Sequence, residues 1–163
     1  MVERLLYYIC GAEHTVEYMK ALNETGEYSI TDSELAEIQG IFTGVCAGDA
    51  EGASAIRNVF ESDKYLMDTH TSIAWACNEK LGSSASAASV VLSTASPYKF
   101  SRAVLEALGE NLSDSDEANM KKVFEVTGAV VPEGLAGIFD REVRCKDVID
   151  ISDMKAYVIE KSK

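Results

Sequence analysis

The sequence predicts an α/β architecture: a predominantly helical fragment around a short, mainly parallel sheet whose central strand is Val90–Thr94. Three observations carry this prediction. Apolar residues recur at helical spacing through most of the chain. Capping signatures and glycines punctuate that pattern at regular intervals. Val90-Val91-Leu92 is a continuous apolar run without alternation, as expected of a strand buried on both faces beneath helices.

Taken in order, Val2, Leu5, Leu6 and Ile9 mark a first helix that Gly11 should stop, glycine being the usual residue just past a helix end. Val16, Met19 and Leu22 mark a second, from about Glu13, closed by Gly26. Thr31-Asp32-Ser33-Glu34 has the form of a capping box and opens a helix with Leu35, Ile38, Ile41 and Phe42 on one packing stripe. Gly40, Gly44 and Gly48 then read as a fraying end and a loop. A helix from about Ala50 should bury Ala53, Ile56, Val59 and Phe60, and another should run from His70 to Leu81, ended by Gly82. The small-residue run from Gly82 to Ser89 reads as a loop feeding the strand.

After the strand, Ser96 is placed as N-cap with Pro97 at the first helical position, where the missing N–H costs nothing. That helix carries Phe100, Val104, Leu105 and Leu108 to Gly109. Asp114 and Glu117 suggest a further capping box for a helix burying Met120, Val123 and Phe124, closed by Gly128. Ala129–Val131 and Val148–Ile151 are expected as short strands, and Ser152 as cap of a last helix through Tyr157. With no repeat or linker, residues 1–163 are expected to form a single domain.

The chain has 163 residues, 47% of them hydrophobic and 26% charged, enough apolar material for a core. Its 27 acidic against 15 basic residues give a formal charge of −12, which repels phosphate backbones and anionic lipid. Nucleic acid and membrane are therefore not expected as partners. No apolar run reaches the ~20 residues of a membrane span, and Met1-Val2-Glu3-Arg4 does not begin a signal peptide, so the expected location is cytoplasmic. Cys10, Cys46, Cys77 and Cys145 form no CxxC pair and read as buried thiols without a metal.

Polar chemistry and fold logic coincide at Val90–Pro97, because ligands in open α/β sheets collect beyond the carboxyl ends of strands. Ser93, Thr94 and Ser96 put three hydroxyls there, although serine before proline is also ordinary capping chemistry. His70, beside Asp68 and Thr71, either orients its helix start or contacts a ligand. His70 and Cys77 share a helix face but stand about 10 Å apart along the axis, too far for one metal. The chain contains no GxGxxG, GxxxxGK[ST], HExxH or GxSxG motif.

Glu3-Arg4-Leu5-Leu6-Tyr7, the stretch Lys64 to Ala74, Val91-Leu92-Ser93-Thr94-Ala95-Ser96-Pro97-Tyr98-Lys99-Phe100 and Pro132-Glu133-Gly134-Leu135 together resemble the carboxy-terminal portion of bacterial threonine synthases. The resemblance covers essentially the whole chain, with Thr69 standing where the family usually has proline. It implies a pyridoxal-phosphate lyase of fold type II that converts O-phosphohomoserine and water to threonine and phosphate. That chemistry requires a cofactor-bearing lysine in a Phe-Lys-Asp setting and a glycine-rich phosphate loop, both upstream of the region matched. Here Cys145-Lys146-Asp147 lacks the phenylalanine, and Met1-Val2 stands where the family has Asn-Phe.

What the resemblance implies for the residues present is one wall of the cofactor site. Thr94 would face the pyridine nitrogen with a neutral hydroxyl, which does not favour protonating it. Ser93 and Ser96 would shape the same wall, and Lys99 and His70 would be offered toward substrate, Lys99 otherwise being an ordinary solvated lysine. No residue of the chain is expected to be catalytic and no pyridoxal phosphate to bind to it alone. Its expected partner is the upstream part of a threonine synthase or another copy of itself. The alternatives are a non-catalytic, self-associating interaction module and a thiol enzyme using Cys77 or Cys46.

Overall fold

The computed structural model describes residues 2–82 and 88–162, which divide into two compact units at Cys46–Ala47. Residues 83–87 of the small-residue run lie outside the described residues.

The first unit holds α1 (Val2–Thr25) and α2 (Asp32–Gln39). Gly11 breaks the helical geometry of α1, with φ 78° and ψ 176°, a conformation open to glycine and strained for other residues. The chain then resumes the helix instead of ending it, so two predicted helices are one kinked element. The hydroxyl of Thr15 recaptures the Gly11 carbonyl left at the kink (2.7 Å). The predicted capping box at α2 is present: Glu34 N donates to Thr31 Oγ1 and Thr31 N donates to a Glu34 carboxylate oxygen. Leu6 is buried, but Val16, Leu22, Leu35, Ile41 and Phe42 are exposed, so the apolar stripes expected to pack are largely solvent-facing.

The second unit holds α3 (Asp49–Asp63), α4 (Thr69–Leu81), a 3-10 turn at Pro97–Phe100, α5 (Ser101–Ala107), α6 (Asp116–Thr127) and α7 (Met154–Lys161). Its core is Ile56 and Val59 of α3, Leu66 and Met67 of the connection, Ala76 of α4, Tyr98, Val104 and Leu105, and Val123 of α6. Each large side chain fully removed from water contributes about 1.5–3 kcal/mol to holding these helices together. The α3–α4 contact is close because Gly52 faces α4: a Cβ there would lie 2.8 Å from Ile73 Cδ1 and 3.2 Å from Ser72 Oγ. Arg57 Nε donates to the Ala107 carbonyl (2.8 Å), tying α3 to the end of α5. The Tyr98 hydroxyl donates to the Ala129 carbonyl, bridging the 3-10 turn to the segment after α6.

The predicted sheet is overturned. Among the described residues there is no β-strand: Val90–Thr94 pairs with no neighbour, Ala129–Val131 lies in a loop, and Val148–Ile151 runs into a 3-10 turn at Ile151–Asp153. A ladder needs a second strand, and no other part of the described chain supplies one beside Val90–Thr94. Val90 and Leu92 are instead 83% and 74% exposed. Smaller corrections follow the same logic of local hydrogen bonding. Ser115, not Asp114, caps α6 by accepting from Ala118 N, and α7 begins after Asp153 without a side-chain cap. Phe124 is half exposed, and no cysteine is fully buried: Cys46 and Cys145 are exposed.

Candidate functional site

The predicted hydroxyls meet the structure at the start of α4. Asp68, 1% exposed, is the N-cap: its Oδ1 accepts from His70 N (2.9 Å) and Thr71 N (3.2 Å), satisfying two of the helix's orphan donors. Its other carboxylate oxygen accepts from the Thr71 hydroxyl. Burial pushes the Asp68 carboxyl up, but the hydrogen bonds from Thr71 and from the two backbone N–H groups outweigh it and hold the group below its ordinary value. Asp68 is thus an ionised carboxylate inside the unit.

From this anchor the contacts run outward. Thr71 Oγ1 lies 3.3 Å from Ser93 Oγ, across 22 residues of chain. Thr94, next along, is exposed, and its hydroxyl has no hydrogen-bond partner among the described residues. Ser96 accepts from Tyr98 N (3.3 Å) and caps the 3-10 turn as predicted, with Pro97 at its first position. His70 Nδ1 stands 3.5 Å from Asp68 Oδ1, an ion pair when the ring is protonated, and the ring leans on Phe100 with centroids 5.0 Å apart. Lys99 is exposed on an open cleft of about 540 Å³ that Arg102 and Asp116 also line.

The structure therefore gathers His70 and Ser93 around Asp68 and Thr71. Neither Lys99 nor Ser96 hydrogen-bonds to that cluster among the described residues, Ser96 being engaged in its own turn. Asp68 and Thr71 were legible as a helix start, but the reach of Thr71 to Ser93 carries no local signal.

A second polar cluster, not anticipated, lies in the first unit. Glu34 accepts from His14 Nδ1 (2.6 Å), the Tyr18 hydroxyl (2.7 Å), Thr31 N (2.8 Å) and Thr31 Oγ1 (2.8 Å). The bond to Glu34 raises the His14 pKa and pushes Tyr18 up to about 12, while the same donors hold Glu34 far below the usual carboxylate range. The bonds from His14 and Tyr18 join α1 to α2, while those from Thr31 stay within the α2 cap. Among the described residues no three His, Cys, Asp or Glu side chains are placed to hold a metal, and no helix is long and apolar enough to cross a membrane.

Comparison with known proteins sets the class. The family described as "Threonine synthase, C-terminal" matches residues 71–158, more than half of the chain, and the chain belongs to that family. It is 29% identical over 146 residues to the threonine synthase of Pseudomonas aeruginosa, an alignment covering 88% of this chain and 28% of that protein. The crystal structure of pyridoxal-phosphate-bound threonine synthase from Brucella melitensis superposes with a TM-score of 0.68 at 25% identity, covering 98% of this chain and 31% of that one. Threonine synthase from yeast shares the fold with a TM-score of 0.71 at 24% identity, over 99% of this chain and 34% of that one. The chain spans about a third or less of the length of these relatives.

Proposed function

We propose that this chain is the carboxy-terminal part of an enzyme that converts O-phosphohomoserine and water to threonine and phosphate, and that it supplies the pyridine-side wall of a pyridoxal-phosphate site without catalysing alone. The observation that carries the reading is the exposed Thr94 hydroxyl, without a hydrogen-bond partner among the described residues, beside Ser93, which is tied back to Asp68 through Thr71. These residues fit one edge of the cofactor. A hydroxyl can donate to a ring nitrogen without carrying the charge that would draw a proton onto it. When bound in a complete site, the cofactor supplies an electron sink for bonds at the substrate α-carbon.

The chain's own contribution is binding and orientation. Thr94 would meet the ring nitrogen, Ser93 and Ser96 would shape the wall, and His70 and Lys99 would be offered toward a phosphate-bearing substrate. Val90 and Leu92 need cover, and the partner that fits them is the upstream portion of a threonine synthase, whose relatives exceed this chain threefold in length.

Purified chain, alone and mixed with the upstream portion of a threonine synthase, is given pyridoxal phosphate and O-phosphohomoserine, and phosphate release is followed. Release only in the mixture is the expected result. Release by the chain alone overturns the reading. Silence of the mixture alongside a tight homodimer by light scattering supports the second reading, a self-associating module using the bare Val90–Leu92 run.

A further inference from the structure

The last stretch of the second unit is held in shape but not covered. From Arg141 to Ser162 every residue is exposed except the half-buried Tyr157. Val143, Val148, Ile151, Met154, Val158 and Ile159 are among them, with Val148 96% and Ile151 88% exposed. The Tyr157 hydroxyl nevertheless donates to Asp147 Oδ2 (2.5 Å), and Lys161 Nζ pairs with the same oxygen (3.3 Å) while lying over the Tyr157 ring. This latch folds α7 back on the extended segment before it. Ile151, Met154 and Val158, at helical spacing through the 3-10 turn and α7, form one apolar stripe beside the latch.

Such an element does not stand by itself in water. Helices shorter than about 12–15 residues are marginal unless an apolar face is packed, and α7 has eight residues and no side-chain cap. We propose that residues 142–162 are a preformed docking arm whose apolar stripe seats on the upstream portion of a threonine synthase. The inference rests on the partner proposed above and adds a second contact surface to the Val90–Leu92 run. Two observations select this occupant. The family match runs through residue 158, and the Brucella melitensis enzyme superposes on 98% of this chain within a polypeptide of which the match is only 31%. The arm is thus shared with proteins that carry about two further thirds of chain. A second copy of this chain would instead bring together two charges of −12. The latch lowers the ordering cost of docking, because the bend exists before the partner arrives.

The test compares the chain alone with the chain co-expressed with the upstream portion, by hydrogen exchange at residues 142–162 and by the affinity of the complex. Exchange should be fast in the free chain at every concentration and at least about tenfold slower in the complex. Val148→Asp with Ile151→Asp alters two side chains that cover nothing, so the free chain should keep its circular dichroism. The double variant should bind the upstream portion about a hundredfold more weakly, about tenfold for each apolar side chain left out of the contact. A complex in which the arm still exchanges fast and the double variant binds as wild type overturns the arm and leaves the proposed function standing. Protection that rises with concentration in the chain alone makes a second copy the occupant and overturns it too. If wild-type chain and upstream portion form no complex, the proposed partner fails and the arm with it. A complex with a protected arm but no phosphate release supports the arm and counts against the proposed activity alone.

Discussion

His14 Nδ1 lies 2.6 Å from Glu34 Oε1, and this one contact joins the middle of α1 to the first turn of α2 across 20 residues of chain. Because both partners titrate, it makes the first unit sensitive to pH from two sides.

The hydrogen bond to Glu34 raises the folded-state pKa of His14 above its ordinary 6.5, so its stabilising contribution is complete below pH 6.5 and is lost as pH rises through the raised value. The bonds from His14 and Tyr18 depress Glu34 below its ordinary 4.5, so its contribution is complete above pH 4.5 and is lost as pH falls. Thermal melting of the first unit's helical signal should therefore peak between those two values. His14→Gln should flatten the alkaline limb and shrink the acid limb, which the bonds from Tyr18 and Thr31 to Glu34 still sustain in part.

Tyr18 donates to the same carboxylate, and its phenol is pushed up to about 12. Spectrophotometric titration of the chain's seven tyrosines should show a late-ionising group that disappears in Tyr18→Phe. An unchanged late limb in that variant would contradict the bond.

Leu105 is fully buried between α3 and α6. Leu105→Ala should lower the unfolding free energy of the second unit by about 2–5 kcal/mol, through lost burial and the cavity left behind, as read from urea denaturation.

Gly52 marks how closely α3 meets α4. Gly52→Ala gains helix propensity but needs the tip of Ile73 to move and the Ser72 hydroxyl to give a little, so its net effect should stay within about 1 kcal/mol. Gly52→Leu drives a branched side chain into Ser72 and Ile73 and should cost about 1–3 kcal/mol or more.

Asn119, fully buried in α6, accepts from Ser113 N (2.8 Å) and donates to Ser113 O (2.9 Å), pinning the α5–α6 connection like a short piece of backbone. Asn119→Ala strands both groups and should cost about 1–3 kcal/mol, with hydrogen exchange at Ser113 speeding before that of α6.

Most helix boundaries were legible because their causes are local: the Thr31–Glu34 box, Ser96 before Pro97, and glycines after the last turn each act within a few residues. Gly11 was misread because the same torsion that ends one helix also permits a kink, and the Thr15 hydroxyl decides between them. The supposed strand failed for a different reason. An apolar run records a need for cover but not the identity of the cover, and pairing depends on chain that lies elsewhere. The hydroxyls at Ser93 to Ser96 were found as a group, whereas the Thr71 hydroxyl, held by Asp68, reaches Ser93 across 22 residues of chain. The convergence of His14 and Tyr18 on Glu34 was equally hidden, since it depends on how α1 returns to α2.

The bare side chains of Val90 and Leu92 sit on a molecule of formal charge −12. Two such molecules repel one another through dilute buffer, and that mutual repulsion fades once ionic strength shortens the screening length to about 8 Å near 0.15 M. Storage in desalted solution and handling in brine are therefore different conditions for this protein: the first keeps the greasy segment solitary, and the second lets it find company.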